Sequence, residues 1–409
     1  MKRLLIIYVM LFSLPLSGCK TIYNNYKEIE QLLVIQTMGL DEQGGGVLLS
    51  LASAAGSSGS QPRRLSAAGE SITTAMERIY NYSYEEQLFL SHAGQLIIGE
   101  EAAEAGIDDY LGYISRTPAM RLDMPMFVVI GGRAEDAVKQ VGDGKRGISE
   151  ILESVEVSSQ RRGDSGIYTA ADVLRDSMRW GSALICALEC TASSESSASG
   201  QGSSSASDSG STEGQSQEQG SSQPAPQNEE TPQLTAAAKG FAVIREGKLC
   251  RYLTREQAIA VGLLRNNTGI SDVQVTDKYG DLVVLEIDSG SSRIKPRWSS
   301  PGQLQGLDVQ VEVRASVIEI SGGGELGSAE YTDHLTAQLE ALISGYVTET
   351  LQASKELKAD FLGLASAVEK HSPESFRLLS REFPELLPEL ELTVTVSGHL
   401  RHTNDMKDS

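Results

Sequence analysis

The chain has 409 residues, 40% hydrophobic and 22% charged, which is enough apolar material for two or three packed domains and excludes disorder over the whole length. Its Lys and Arg residues number 35 against 55 Asp and Glu residues, so the formal net charge is -20 and a nucleic-acid-binding protein, which needs a basic face, is not expected. The 4 Cys residues are too few for a disulfide framework in a chain of this length.

The N-terminal segment predicts export and a lipid anchor. Lys2 and Arg3 precede an apolar run at 4–16, which is shorter than the roughly 20 residues of a membrane-spanning helix and is typical of a signal peptide. Small residues then precede Cys19, as in a lipobox. We therefore expect a lipoprotein signal peptide at 1–18 and lipidation of Cys19, which would attach the chain to the outer face of a membrane. An ordinary signal peptide followed by a chance cysteine is the alternative.

Strands and helices alternate in the region that follows. Hydrophobic periodicity and turn residues predict them. In chain order they are strands at 32–38 and 47–52, a helix at 66–80, a strand at 95–98, helices at 100–105 and 108–115, a strand at 124–130, helices at 133–141, 148–158 and 170–179, and a strand at 183–188.

A low-complexity segment interrupts the chain at 191–237. It consists mainly of Ser, Gly, Gln, Glu, Ala and Pro, and no Lys or Arg occurs between Arg179 and Lys239. Such a composition cannot bury enough apolar surface to offset the entropy of ordering, so the segment is predicted to be a flexible linker. It would separate an N-terminal region of one or two domains, 19–190, from a C-terminal domain, 238–402, with a short tail at 403–409.

The region after the linker also mixes strands and helices. Thr254 and Gln257 form a capping box that starts a helix over 258–264. The other predicted elements are strands at 240–244, 249–252, 273–276, 282–287 and 309–320, a long helix at 333–355, a second helix, and a strand at 392–396. Long helices over strands, without a regular βαβ array, predict an α+β fold class in which helices pack on antiparallel or mixed sheets in three domains.

The candidate motifs for catalysis, metal binding and cofactor binding lack the neighbouring elements or further ligands that such sites require. The G-x-G-x-x-G match at 142–147 follows a predicted helix where a phosphate-binding loop follows a strand. His399 and His402 have the spacing of metal ligands but lack further ligands. Cys186 and Cys190 are either small buried residues or, on an outer membrane face, candidates for oxidation. We expect no catalytic residues, no metal and no cofactor.

An ordered set of segments carries a family resemblance. It comprises the lipobox, the strand end at 38–41, the segment 88–102, Arg116 and Arg121, the strand at 127–130, the segment 240–249 and the segment 358–364. The chain resembles the C subunit of spore germination nutrient receptors, the GerAC-type lipoproteins, over nearly all of its length except the linker.

The resemblance implies a non-catalytic lipoprotein of three mixed α/β domains on the outer face of the spore inner membrane. Two integral membrane subunits, A and B, would be its partners. His92, Arg116 and Arg121 are the candidate partner contacts, and a role for His92 in the core is the alternative.

A rival hypothesis is a lipid-anchored solute-binding protein that captures a small nutrient. That class is usually built from doubly wound lobes with a cleft at the strand ends. The sequence lacks the corresponding βαβ regularity, so direct binding of a small molecule is not expected.

Overall fold

The computed structural model describes residues 32–54, 62–82, 87–142, 146–192, 234–322, 328–380 and 382–401. Within these ranges the chain forms two mixed sheets packed with helices, which confirms the α+β fold class. The signal peptide, Cys19, His402 and the segment 193–233 lie outside the described residues.

The first sheet and its helices come mainly from the region before the low-complexity segment. The elements are β1 (Leu32–Gln43), β2 (Gly46–Ser53), β3 (Arg64–Gly69), α1 (Ile72–Tyr82), β4 (Gln87–Phe89), β5 (Gln95–Ile98), α2 (Glu100–Ala105), α3 (Asp108–Arg116), β6 (Met126–Val129), α4 (Ala134–Gln140), α5 (Ile148–Arg161), α6 (Ala170–Trp180), β7 (Ser182–Ala192), β8 (Leu234–Arg245) and β9 (Lys248–Tyr252).

The centre of this sheet is parallel, which the sequence did not lead us to expect. The nine strands are ordered β3-β2-β1-β5-β6-β7-β8-β9, with β4 paired to β1. Strands β1, β5, β6 and β7 run parallel, and the helical connections α2–α3 and α4–α6 cross between them. Helices α1 to α3 cover one buried face of the sheet, while α4 and α5 cover the other. Parallel strands enclosed in this way are buried on both faces: Ile98, on the face of α1 to α3, and Ile97, on the face of α4 and α5, are both 0% exposed.

The predicted linker is shorter than expected and does not divide the first sheet. Strand β7 continues to Ala192 and β8 begins at Leu234, and these two residues are antiparallel partners. Residues 191–192 and 234–237, which the sequence analysis assigned to the linker, therefore belong to strands. The low-complexity segment connects neighbouring strands, and β8 and β9 complete a sheet that begins before it.

The second sheet has four strands in the order β10-β11-β12-β13, of which only β12 and β13 are parallel. Its elements and those packed on it are α7 (Arg255–Leu264), β10 (Ser271–Thr276), β11 (Leu282–Ser300), β12 (Gln303–Ile320), α8 (Ala329–Leu357), α9 (Leu364–His371), α10 (Pro373–Arg377), α11 (Phe383–Leu386) and β13 (Glu391–Arg401). The apolar stripe of α8, including Leu335, Leu339 and Ile343, is fully buried against the sheet. Leu184 and Val243 of the first sheet belong to the same hydrophobic cluster, so the two sheets share a core.

The predicted helix at 66–80 is wrong in its first turn. Residues 64–69 form β3, which pairs with β2, and the helix starts at Ile72. Ser71 marks the start because its hydroxyl accepts a hydrogen bond from the Thr74 N–H at 3.3 Å.

Candidate functional site

The carboxyl ends of three parallel strands meet at a small cavity. In open α/β sheets, ligands bind in the crevice at these ends. Here the cavity has a volume of about 180 Å³ and is lined by Asp41, Glu42, Glu100, Glu101, Gly131, Gly132 and Arg133. It is the position at which a solute-binding protein of this topology would hold its ligand.

Asp41 already occupies the anion-binding position of this crevice. Its carboxylate accepts hydrogen bonds from the backbone N–H groups of Ala134, at 2.7 Å, and Glu135, at 2.8 Å, in the first turn of α4. Burial raises the pKa of Asp41, and these two N–H donors oppose the rise. A phosphate or carboxylate ligand would need the same donors. A Cβ at Gly99 would lie 2.0 Å from an Asp41 oxygen, so a glycine is required there.

The Glu100 carboxylate is also engaged in hydrogen bonds within the protein. Its carboxylate accepts hydrogen bonds from the Gly131 N–H and from the Tyr252 hydroxyl, both at 2.7 Å. Burial and the Glu100 carboxylate raise the pKa of Tyr252, so the phenol remains a donor. The contact ties β9, which follows the low-complexity segment, to the end of the parallel strands. Two of the carboxylates that line the strand-end crevice, those of Asp41 and Glu100, are thus already hydrogen-bonded within the protein.

A larger cleft of about 580 Å³ lies between α6 and the elements that follow β9. At its base the guanidinium of Arg265 donates to Asp176 at 3.2 Å and to the Phe361 carbonyl at 2.9 Å. The same guanidinium lies 5.2 Å from the ring centroid of Tyr168. This buried network joins the two halves of the chain. Sequence reasoning missed it because its members are far apart in the chain and form no motif.

The three predicted partner contacts lie on the end of the first sheet where the parallel strands begin. His92 is exposed in a 3-10 turn before β5, and its ring centroid is 5.4 Å from that of Phe89. It is therefore not a core histidine. Arg116 ends α3, and Arg121, in the loop before β6, donates two hydrogen bonds to Asp123. No hydrogen bond or ion pair in the described ranges joins His92 to either arginine.

The remaining candidates form no reaction centre in the described part of the chain. Cys186 and Cys190 are free and lie on one strand, where four residues span about 13 Å, too far for a disulfide between them. His399 is in β13, and within the ranges given above no group of three or more His, Cys, Asp or Glu could hold a metal ion. Among the described helices, none is both long and apolar enough to span a membrane.

Comparison with known families covers most of the chain. Residues 25–189 match the spore germination protein N-terminal domain, and residues 239–404 match the spore germination B3/GerAC-like C-terminal domain. The chain belongs to the GerAC-like family of spore germination proteins. A solved structure titled "Crystal Structure of the GerBC protein" is similar in fold, with 15% identity and a TM-score of 0.51 over 89% of this chain and 96% of that one. A search of curated proteins finds no match.

Membership in the GerAC-like family agrees with the lack of a catalytic motif, since this family is not known to be catalytic. The low-complexity segment separates the two matched domains: the first match ends at residue 189, and the second begins at residue 239. In the GerAC-like fold seen here, however, β8 and β9 follow that segment and still complete the first sheet. The boundary between the two matched domains therefore falls between neighbouring strands of one sheet.

Proposed function

We propose that this chain is the C subunit of a nutrient germinant receptor, held on the outer face of the spore inner membrane by a lipid on Cys19. It is not an enzyme and uses no cofactor. It acts through contacts with the integral membrane A and B subunits, and His92, Arg116 and Arg121 lie on the surface that makes them. The observation that carries the proposal is the match of both family domains, in order, over most of the chain.

The strand-end crevice supports a role without a reaction centre. The position that binds an anionic ligand in related topologies is filled by the carboxylate of Asp41. Displacing this group would leave two N–H donors of α4 to be satisfied by the ligand and would expose a buried carboxylate to a new environment. The crevice is therefore better suited to stabilising the sheet than to exchanging a ligand.

The anchor is tested by the Cys19→Ala variant in spores. We expect the protein to leave the inner-membrane fraction and nutrient-induced germination to fall, because one lipidated cysteine supplies the membrane affinity. Cys250→Ala is the matched control, since Cys250 is an exposed free cysteine, and it should behave like the wild type. A Cys19→Ala protein that stays membrane-bound and fully functional would rule out lipidation as the anchor.

The alternative is a lipid-anchored solute-binding protein. The parallel centre of the first sheet and the cleft beside α6 favour it more than the sequence alone did. Calorimetry of residues 20–409 with amino acids, sugars and nucleosides separates the two functions. We expect no binding heat, and one nutrient that binds with micromolar affinity would favour the alternative.

A further inference from the structure

Strand β13 is a long edge strand of the second sheet. The two described sheets end at four strands, of which β3 and β10 have 6 residues each, β9 has 5 and β13 has 11. The sequence of β13 contains no proline, and its pairing with β12 continues along the strand without a bulge. Short length, proline and bulges are the usual devices that keep an edge strand from pairing with another chain, and β13 has none of them.

The backbone groups of every second residue of β13 point away from β12. The Gly398 N–H donates to the Glu340 carboxylate of α8 at 2.9 Å, and the Leu390 carbonyl, just before the strand, accepts from Lys355 at 2.9 Å. Alternate residues of a strand direct their N–H and C=O groups to the same side. The other residues with this outward direction are Leu392, Val394, Val396 and Leu400. In the part of the chain that the structure describes, no hydrogen bond engages their backbone groups on this side.

The side chains of β13 alternate in the same way. The even-numbered positions face α8, and their apolar side chains are only half-buried at the margin of the core: Leu392, Val394, Val396 and Leu400. The odd-numbered positions are exposed. A further strand beside β13 would therefore cover the apolar row and pair the free backbone groups, as in recognition by strand addition.

The two ends of β13 carry opposite charges. Glu391 begins the strand and Arg401 ends it. Arg297 contacts Glu391 at 3.1 Å, but the same guanidinium also contacts Asp308 at 3.0 Å, so the three groups together keep a negative charge. Arg401 is exposed and forms no ion pair with any described residue. A strand with one acidic and one basic end is complementary to an antiparallel copy of itself.

We propose that β13 pairs antiparallel with β13 of a second copy of this chain, with Val396 of one copy opposite Val396 of the other. In this register Glu391 lies opposite Arg401 of the second copy, and twofold symmetry repeats the contact. The outward-facing residues of the two strands then lie opposite one another, as the hydrogen-bonded pairs of an antiparallel ladder require. Only the Gly398 N–H would have to exchange an existing acceptor, the Glu340 carboxylate.

The pairing would join the second sheets of the two copies into one continuous sheet. One pair of strands is a small contact compared with the roughly 1,200–2,000 Å² that a stable interface buries. We therefore expect reversible association that is favoured where the local concentration of the chain is high. The pairing goes beyond the proposed function and does not depend on it.

Disulfide cross-linking in the full-length chain tests this register. Thr395 would lie opposite Ser397 of the second copy in a non-hydrogen-bonded pair, with Cα atoms about 4.5 Å apart, which a disulfide can bridge. Two copies with different C-terminal tags, one with Thr395→Cys and one with Ser397→Cys, would be co-expressed. Both would carry Cys250→Ala, which removes the exposed native thiol. After mild oxidation of the intact cells, we expect a product of twice the mass that carries both tags.

Thr393→Cys combined with Ser397→Cys is the matched control for the register. These positions would lie on a diagonal, about 7 Å apart, so their cross-linking should be severalfold weaker. All three substituted positions are exposed, and the substitutions leave the core unchanged. The Cys250→Ala chain without an added cysteine should give no product with both tags.

Charge reversal tests the contact between the strand ends. Arg401→Glu should lower the yield of the product that joins positions 395 and 397 severalfold, because Glu391 would then face a like charge. Adding Glu391→Arg to the same chain should restore the yield. Arg293→Glu is the matched control, since Arg293 is exposed on β11 away from this edge, and it should leave the yield unchanged.

Several results would overturn the proposal: no product with both tags, equal cross-linking of the two cysteine pairs, or an unchanged yield with Arg401→Glu. Cross-linking to a different protein in place of the second copy would also overturn it and would show that another chain occupies the edge of β13.

Discussion

Removing the Asp176 carboxylate should weaken the contact between the two halves of the chain and lower the stability of the protein. The Asp176→Asn change deletes the negative charge that faces Arg265 at 3.2 Å, in a pair whose side chains are 9% and 17% exposed. Arg175 would also lose its contact with Asp176, but the Arg175 side chain is 58% exposed and can be hydrated. The dominant cost is thus that the buried Arg265 charge loses the carboxylate to which it is hydrogen-bonded, although Asp360 still acts on it electrostatically.

The size of the effect follows from that burial. Breaking a buried ion pair from one side typically costs about 3–5 kcal/mol. Arg265 keeps its bond to the Phe361 carbonyl and its contact with the Tyr168 ring, and it is not completely buried. We therefore expect a loss near the lower limit, about 3 kcal/mol in the free energy of unfolding.

Urea unfolding followed by tryptophan fluorescence measures this loss, since Trp180 lines the cleft. Asp123→Asn is the matched control because Asp123 pairs with Arg121 in an exposed ion pair, which typically contributes at most about 1 kcal/mol. Replacing Asp176 and Arg265 together by Asn and Met should cost less than the sum of the single changes. The reasoning is refuted if Asp176→Asn is no more destabilising than Asp123→Asn.

Three further predictions concern thiols, pH and the low-complexity segment. In residues 20–409, the exposed Cys250 should react at once with a thiol reagent, and the fully buried Cys186, whose pKa burial raises to about 12, should react only after unfolding. The partly buried Cys190, whose pKa burial raises to about 11, should react at an intermediate rate. Equal rates for the three thiols would contradict the packing of β7. Burial raises the pKa of Asp360 above 3.8, so folding favours its protonated form, and the wild type should gain stability relative to Asp360→Asn as the pH falls from 7 towards 3.8; a loss of stability relative to Asp360→Asn over this range would contradict the prediction. A specific protease site inserted within 193–233 should yield two fragments that co-elute under native conditions because β7 pairs with β8; separation of the fragments would restore the linker as a boundary between independent domains.

Local signals in the sequence predicted most elements of the fold. The capping box at Thr254 is present, with the Gln257 N–H donating to the Thr254 hydroxyl at 3.3 Å. A glycine directly after a helix commonly adopts the left-handed helical conformation, but Gly106, after α2, combines a positive φ of 141° with an extended ψ of 139°. There the next residue, Ile107, donates to the Gly247 carbonyl, a tertiary contact that no local pattern reports.

The direction and partners of strands could not be predicted in the same way. Hydrophobic periodicity predicted buried strands at 95–98 and 124–130, but it does not say that they pair in parallel. The pairing of Ala192 with Leu234 spans the whole low-complexity segment, whose composition alone suggested a domain boundary. Asp41 likewise gives no sequence signal, because its role depends on the Ala134 N–H, 93 positions away.

Affinity purification from spore inner membranes tests the receptor-subunit proposal most directly. A C-terminally tagged chain would be extracted in mild detergent, and the purified material would be analysed by mass spectrometry. We predict that two integral membrane subunits co-purify with a chain whose N-terminal residue is lipidated Cys19. Recovery of the chain alone, without membrane subunits, would contradict its assignment as a receptor subunit.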